Sequence, residues 1–448
     1  MASTSNDDSS LMQPVVFTTQ TTYLLPAQKF MIPTTWKRYQ LSQLVNKALS
    51  LATPVPFDFL VRGEILRGTL AEWCREKGVG EEETLEVEYI ESVMPPQKMS
   101  SIPQDDWVSD VSCALPGHFV TASYDGYIRI FDYSQTTVFA GSVHDGPVTS
   151  LSLNPTSVSR DEDLMIATAS HDLTGRLVRI SLDADTGERA SSTLASLHLH
   201  TSPLSSIAYS RSGEHLLTAS WDTLIGLWES SIPEEDEVDV VEVQADRRKR
   251  RKVGGRDSEP RPKRKGPTSV LKSHTARVSR AVFSSTGKTA FSCGFDSTVR
   301  SWDVENGVCT DTITASEKPM LSVVVLPNDN SVVSCSVDRS VSVFDFRADS
   351  TAVSSTTLLF MHQSTPSSVA LSPTSDSQII TGSYDGTVRL WDLRSAKSAV
   401  ASFKVWDGEK KILAVDATAS SGSGIVGVGG EGGLEVWRVG KTTTTTAA

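Results

Sequence analysis

The chain has 448 residues, 38% of them hydrophobic and 21% charged, with 42 Lys and Arg against 54 Asp and Glu for a net charge of −12. That is enough apolar material for packed cores and too little charge for global disorder. A net-acidic surface excludes wrapping of nucleic acid by the whole molecule and confines any RNA contact to a local basic patch.

The first twenty residues carry no basic leader or apolar signal core, and no apolar run approaches the ~18 residues of a bilayer span. A soluble, intracellular protein is expected. Cys74, Cys113, Cys293, Cys309 and Cys335 show no CxxC spacing and no tight pairing with histidine. No zinc cluster is expected, and the thiols suit a reducing compartment.

Residues 1–12 read as a disordered N-terminus. From 13 to 95 the pattern is mixed. Val15–Thr18 alternates and is expected to pair with Thr22–Leu25 as a hairpin. Residues 36–52 place Leu41, Leu44, Val45, Ala48 and Leu49 at helical spacing, with Ser42 as a cap and Pro54 and Pro56 as the stop. Two short strands follow around Gly63, then a short helical turn and a last strand over 85–90. This is the order of a small α+β domain of the β-grasp, ubiquitin-like kind. The chain runs on through Val93, Met94, Pro95 and Pro96 without a Gly-Gly tail, so the domain reads as a binding module. Its loop Gly78–Thr84 holds Glu81, Glu82 and Glu83 in a row, and their mutual repulsion predicts solvent exposure. Residues 96–104 read as a linker.

Over 105–440 one pattern repeats: a short β-rich run, a tight turn with an acid, then an alternating run ending in an aromatic. The turn acids are Asp125, Asp172, Asp222, Asp296, Asp338, Asp385 and Glu431, mostly 42 to 50 residues apart, with one interval of 74. Trp302-Asp303 and Trp391-Asp392 close two of the runs, with Phe131-Asp132 and Phe344-Asp345 as variants. Histidines stand upstream in four units, at His144, His200, His274 and His362. These residues resemble the WD-repeat family, which implies an all-β, seven-bladed propeller of four-stranded blades. In that family the His, the turn Asp, a Ser or Thr and the Trp share a buried network, here with Trp228, Trp302 and Trp391. A buried carboxylate needs such partners. The unit at Asp172 lacks the Trp and Glu431 replaces Asp, so those two blades are expected to be the less rigid. A Ser–His–Asp set recurring in blade after blade staples blades; it is not a hydrolase triad. GSGIVG at 422–427 matches a dinucleotide fingerprint in form, but no helical sequence follows it. No enzyme and no bound cofactor is expected. The outer strand of the last blade is open between 91–104 and the tail 441–448, which otherwise reads as disordered. Tyr124, Trp221, Phe295 and Tyr384 flank the turns as contacts or rim packing.

Residues 231–267 interrupt the repeats with an acidic run and then a basic one, 11 basic and 9 acidic residues in all, and read as a disordered loop. The clusters Arg247, Arg248, Lys249, Arg250, Arg251, Lys252 and Arg261, Lys263, Arg264, Lys265 have the form of a bipartite nuclear import signal. Direct rRNA contact is the electrostatic alternative, and a solvating loop the plain one.

The stretch 54–96 together with DDWVSDV (105–111) resembles the Notchless-like N-terminal domain family. Coupled to seven repeats rather than the eight of the Notchless branch, it resembles more narrowly the WD-repeat subunit of the PeBoW complex. The resemblance covers over 90% of the chain. It implies a non-catalytic scaffold in large (60S) ribosomal subunit assembly and pre-rRNA processing. The implied partners are the WD-repeat block-of-proliferation subunit, pescadillo, the AAA ATPase midasin and pre-60S particles, in nucleolus and nucleoplasm. It also implies that a loop carboxylate completes a Mg²⁺ held by midasin, and Glu82, four residues after Gly78, is the residue assigned. Mg²⁺ takes hard oxygen ligands, which suits a carboxylate. The competing reading is a ubiquitin-pathway adaptor with the propeller as substrate receptor.

Overall fold

The computed structural model describes residues 11–21, 23–51, 53–80, 82–92, 94–160, 163–181, 191–238, 261–314, 318–347, 356–395, 399–420 and 423–440. They form two compact units, Met1–Pro95 with Trp391–Ala401, and Pro96–Leu390 with Ser402–Ala448.

The first unit contains β1 (Met12–Thr18), β2 (Lys29–Pro33), α1 (Arg38–Ala48), β3 (Phe57–Val61), β4 (Glu64–Ile65), α2 (Leu70–Lys77) and β5 (Leu85–Glu91). Its sheet runs β2-β1-β5-β3-β4, with β1 and β5 parallel, which is β-grasp order. The alternation of β1 buries Gln13, Val15 and Phe17. Phe57, Phe59 and Tyr89 fill the core, with Phe57 and Tyr89 edge to face at 5.4 Å. The hairpin partner of β1 is β2, not 22–25, with Met12 opposite Pro33. Ser42 does not cap α1 either. It sits inside the helix, where its hydroxyl accepts from Phe57 N at 3.1 Å, while Gln40 Oε1 accepts from Lys37 N at the helix start. Helix α2 has a capping box: Thr69 Oγ1 accepts from Glu72 N and Glu72 Oε2 accepts from Thr69 N. Gly78 ends it at φ +65, a left-handed position that suits glycine.

The second unit holds seven sheets. Blade 1 is Val108–Ser112, His118–Ser123, Tyr127–Asp132 and Thr137–Ser142. The innermost strands of the seven blades contact one another in sequence, and that of the last contacts that of the first, closing a ring. Each innermost strand carries a β-bulge at its second residue. Where that residue has a hydroxyl, it hooks the next blade: Ser109 donates to Val148 O, Thr149 to Leu204 O, Ser205 to Val278 O, Ser279 to Met320 O and Ser367 to Ile412 O, at 2.6–2.9 Å. Leu321 and Leu413 occupy the bulge in blades 5 and 7 and have no hydroxyl to donate.

Three expected boundaries change. Residues 97–102 are not linker: β6 (Gln97–Ile102) pairs antiparallel with Gly433–Val439 and supplies the outer strand of blade 7. The propeller therefore begins at β6 and not at 105. The pairing is pinned by Lys98 Nζ on Glu435 Oε1 at 2.5 Å and by burial of Ile102, which contributes about 1.5–3 kcal/mol. The tail 441–448 lies outside the described residues. The insertion 231–267 is folded at both roots. It leaves blade 3 after Leu224–Glu229 and returns as that blade's outer strand Ser269–Lys272. Before returning, Lys263–Lys265 adds a fifth, parallel strand to blade 2 beside Ser191–Leu197. Residues 239–260, between the roots, lie outside the described residues.

Candidate docking sites

The acidic loop is held at both ends by a residue that the sequence reading missed. Gln13 is buried, and its Nε2 donates to Gly80 O at 3.2 Å and to Glu83 O at 2.6 Å. The signal was present: Gln13 shares the inward face with Val15 and Phe17, and an inward amide needs partners. Val79 N donates to Cys74 O, and Glu83 N to Gly80 O, so the backbone turns back on itself. The glutamates then differ. Glu83 is engaged by the Arg62 guanidinium. Glu82 is exposed, with no hydrogen bond or ion pair to any described residue. Glu81 lies outside the described residues. Among the described residues the loop thus presents one unpaired carboxylate beside one held in an exposed ion pair.

The basic run behaves in the opposite way. Lys265 is 3% exposed, and its ammonium donates to Ser231 O and to Ser231 Oγ. Burial pushes its pKa down, opposed by Glu237 and Glu229. Lys263 Nζ reaches Glu234 O, Arg264 N donates to Asp236 Oδ1 at 2.7 Å, and Gly266 N to Glu237 Oε2 at 3.0 Å. The two roots therefore clasp each other, ammonium groups on backbone carbonyls and carboxylates on backbone N–H groups, in charge-assisted hydrogen bonds. Of the second cluster only Arg261 is exposed. Arg247–Lys252 lie outside the described residues.

The blade networks assemble as hydrogen-bonded chains. In blade 4, His274 Nδ1 meets Asp296 Oδ2 at 2.8 Å, His274 Nε2 meets Ser292 Oγ at 2.7 Å, and Trp302 Nε1 donates to Ser292 Oγ at 2.8 Å. Blade 3 repeats this with His200, Asp222, Thr218 and Trp228. Blade 2 has His144, Asp172 and Thr168 in the same arrangement, with Val178 where the others have Trp. In blade 6 His362 reaches Thr381 at 2.9 Å, Asp385 accepts from Ser383 and Thr387, and Trp391 is buried. Asp125 takes Arg129 instead of a histidine, and Asp338 accepts from Ser340 N. Glu431 accepts from Lys411 N at 3.1 Å. Histidine contact lowers Asp172 to about 2 against the cost of burial, and burial lowers His362 to about 4. Ser292, Thr218 and Thr168 are fully buried, so their hydroxyls face neighbours and not a substrate.

The five cysteines are free, and all but Cys309 are buried. Among the described residues no group of three or more His, Cys, Asp or Glu is placed to hold a metal, and no helix is long and apolar enough to cross a membrane.

The fold and the loop define a class: a WD-repeat propeller preceded by a small domain of the NLE type. The NLE (NUC135) domain model matches residues 14–74, and the WD domain, G-beta repeat model matches 97–132, 191–229, 265–303, 307–345 and 354–392. The unmatched stretches contain Asp172 and Glu431, the two repeats that depart from the pattern. The propeller of Doa1 shares the fold, with a TM-score of 0.57 at 19% identity over 79% of this chain and 99% of that one. The ribosome biogenesis protein YTM1 of Laccaria bicolor is 58% identical, covering 98% of this chain and 97% of its own. That of Saccharomyces cerevisiae (strain S288c) is 33% identical over 87% and 88%. The chain belongs to the YTM1 family of ribosome biogenesis proteins, which are WD-repeat scaffolds and not enzymes.

Proposed function

We propose that this chain is a non-catalytic scaffold in ribosome biogenesis, acting in assembly of the large subunit and in pre-rRNA processing. Its family membership supports the process. One observation carries the finer reading: Glu82 stands exposed and unpartnered on a loop pinned by Gln13, next to a Glu83 already neutralised by Arg62. A pre-positioned carboxylate of this kind suits an open octahedral position on a Mg²⁺ that another protein holds. The partner in this reading is the AAA ATPase midasin, which pulls the assembly off pre-60S particles. The propeller docks on the WD-repeat block-of-proliferation subunit, which links it to pescadillo. Work of this kind belongs in the nucleolus and nucleoplasm, with the basic run of the insertion serving import or rRNA contact. The chain itself brings no cofactor. No observation favours the ubiquitin-pathway adaptor.

Affinity purification of tagged wild type and Glu82→Ala, followed by sucrose gradients, tests this. Wild type should sediment with large-subunit precursors, and the variant should keep its propeller partners while accumulating on those precursors. Equal behaviour of the two proteins removes Glu82 from the reading. Absence of both from precursors removes the reading itself.

A further inference from the structure

The face of the propeller that carries the turn acids has an arc of rings across blades 1 to 4. The residue before each turn acid is Tyr124, His171, Trp221 or Phe295, and each donates its backbone N–H to a carbonyl just before the innermost strand of its own blade. In blades 1 and 4 that carbonyl belongs to Trp107 and Arg277, at 3.0 and 2.8 Å, so both rows sit at one height. The side chains run in sequence. Trp107 lies 6.1 Å from Tyr124, Tyr124 6.5 Å from His171, and His171 5.4 Å from Trp221. The Arg277 guanidinium then lies 5.2 Å from the Trp221 ring and 3.5 Å from that of Phe295. Trp107 and Trp221 remain 42% and 41% exposed, large aromatics left at the surface. Burial pushes the pKa of His171 below its ordinary value.

Arg277 differs from the arginines around it. Arg129, Arg176 and Arg300 each pair with the turn acid four residues before them. Asp296, the turn acid of the Arg277 blade, is taken by His274, Thr275 and Arg300. No ion pair or side-chain hydrogen bond joins Arg277 to any described residue. Stacked against two rings, its planar fork is ordered while its N–H edge stays free, the geometry that receives a carboxylate in bidentate fashion.

We propose that this arc docks an extended segment of a partner protein, with a carboxylate of that segment seated on Arg277 and apolar side chains laid along the rings. One unpaired cation among the described residues of this arc, in a chain of net charge −12, favours a peptide over nucleic acid, because RNA affinity is built from several phosphate contacts. The inference goes beyond the docking proposed above and stands whichever protein supplies the segment.

The test pans a phage-displayed random peptide library on the full-length chain. A synthetic copy of the most enriched peptide is then titrated by fluorescence anisotropy. Enriched sequences should share an Asp or Glu beside aromatic or aliphatic residues. Binding should weaken about tenfold or more in Arg277→Gln, because a charge-assisted hydrogen bond is lost. Arg277→Lys, which keeps the charge without the fork, and Trp221→Ala should both weaken it. Val308→Ser, on the exposed outer strand of blade 4, should leave it unchanged. Circular dichroism melts identical to wild type keep each loss attributable to the surface. The proposal fails if no peptide enriches, if enriched peptides lack an acid, or if Arg277→Gln binds as wild type does. It fails equally if fluorescein-labelled oligouridylate binds the Trp221 surface at physiological salt and displaces the peptide.

Discussion

The acidic loop and the basic run of the insertion are both strings of like charge, yet the protein holds them in opposite ways. Glu82 is kept out, on a backbone that Gln13 fixes, with its neighbour Glu83 quenched by Arg62. Lys263–Lys265 is drawn in and made into a strand, with the Lys263 and Lys265 ammonium groups and the Arg264 backbone N–H bonded to the acidic root of the same insertion. Local charge density does not by itself say which charges are available to a partner; the partners within the chain decide it.

The largest effect that sharpens this comparison is on stability. Lys265→Glu places a carboxylate in a buried site beside Glu237 and Glu229, and urea unfolding should show a loss of about 2–4 kcal/mol. Glu82→Ala should change the same curve by less than about 0.5 kcal/mol. A large shift from Glu82→Ala, or none from Lys265→Glu, reverses the assignment of held and free charge.

The blade networks give a third case, buried titratable groups whose partners are inside, and pH reads them. His362 titrates near 4 when folded and near 6.5 when unfolded. Its contribution is full above 6.5, and roughly 2–3 kcal/mol is lost as pH falls from 6.5 to 4. Asp172 is depressed to about 2, so its contribution persists to lower pH and is lost only between about 4 and 2. Urea midpoints for wild type and His362→Asn at pH 7, 5.5 and 4.5 check this. The variant should flatten the upper part of the fall; parallel curves contradict it.

Import separates the two halves of the basic run. Alanine at Arg247–Lys252 should abolish nuclear accumulation of a fluorescent fusion, whereas Lys263→Ala should reduce it only slightly, because that ammonium is already bonded to Glu234 O. Equal losses point to a clasp that opens for the import receptor. The smallest effect is Arg62→Ala, which removes an exposed ion pair of about 0–1 kcal/mol and frees Glu83.

Much of this was legible in the sequence. The turn acids recur, so the propeller could be counted, and Thr69 with Glu72 and Gly78 delimit α2 by local chemistry alone. What stayed hidden depends on distant partners. β6 reads as linker because its bonding edge lies on Gly433–Val439, and Lys98 and Glu435 stand 337 residues apart. Lys263–Lys265 reads as a solvated cluster because its neighbour, Ser191–Leu197, belongs to another blade. The glutamates of the loop look alike in the sequence, and only Arg62, brought in by the turn at Gly63, tells Glu83 from Glu82. Arg277 carries no local signal at all, since its two rings come from different blades.

The most direct measurement is the affinity of the full-length chain for the metal-site domain of midasin, with Mg²⁺ and with EDTA, for wild type, Glu82→Ala and Glu83→Ala. Binding that requires Mg²⁺, is lost in Glu82→Ala and survives in Glu83→Ala is the predicted result. Binding indifferent to Mg²⁺, or lost in Glu83→Ala and retained in Glu82→Ala, contradicts it.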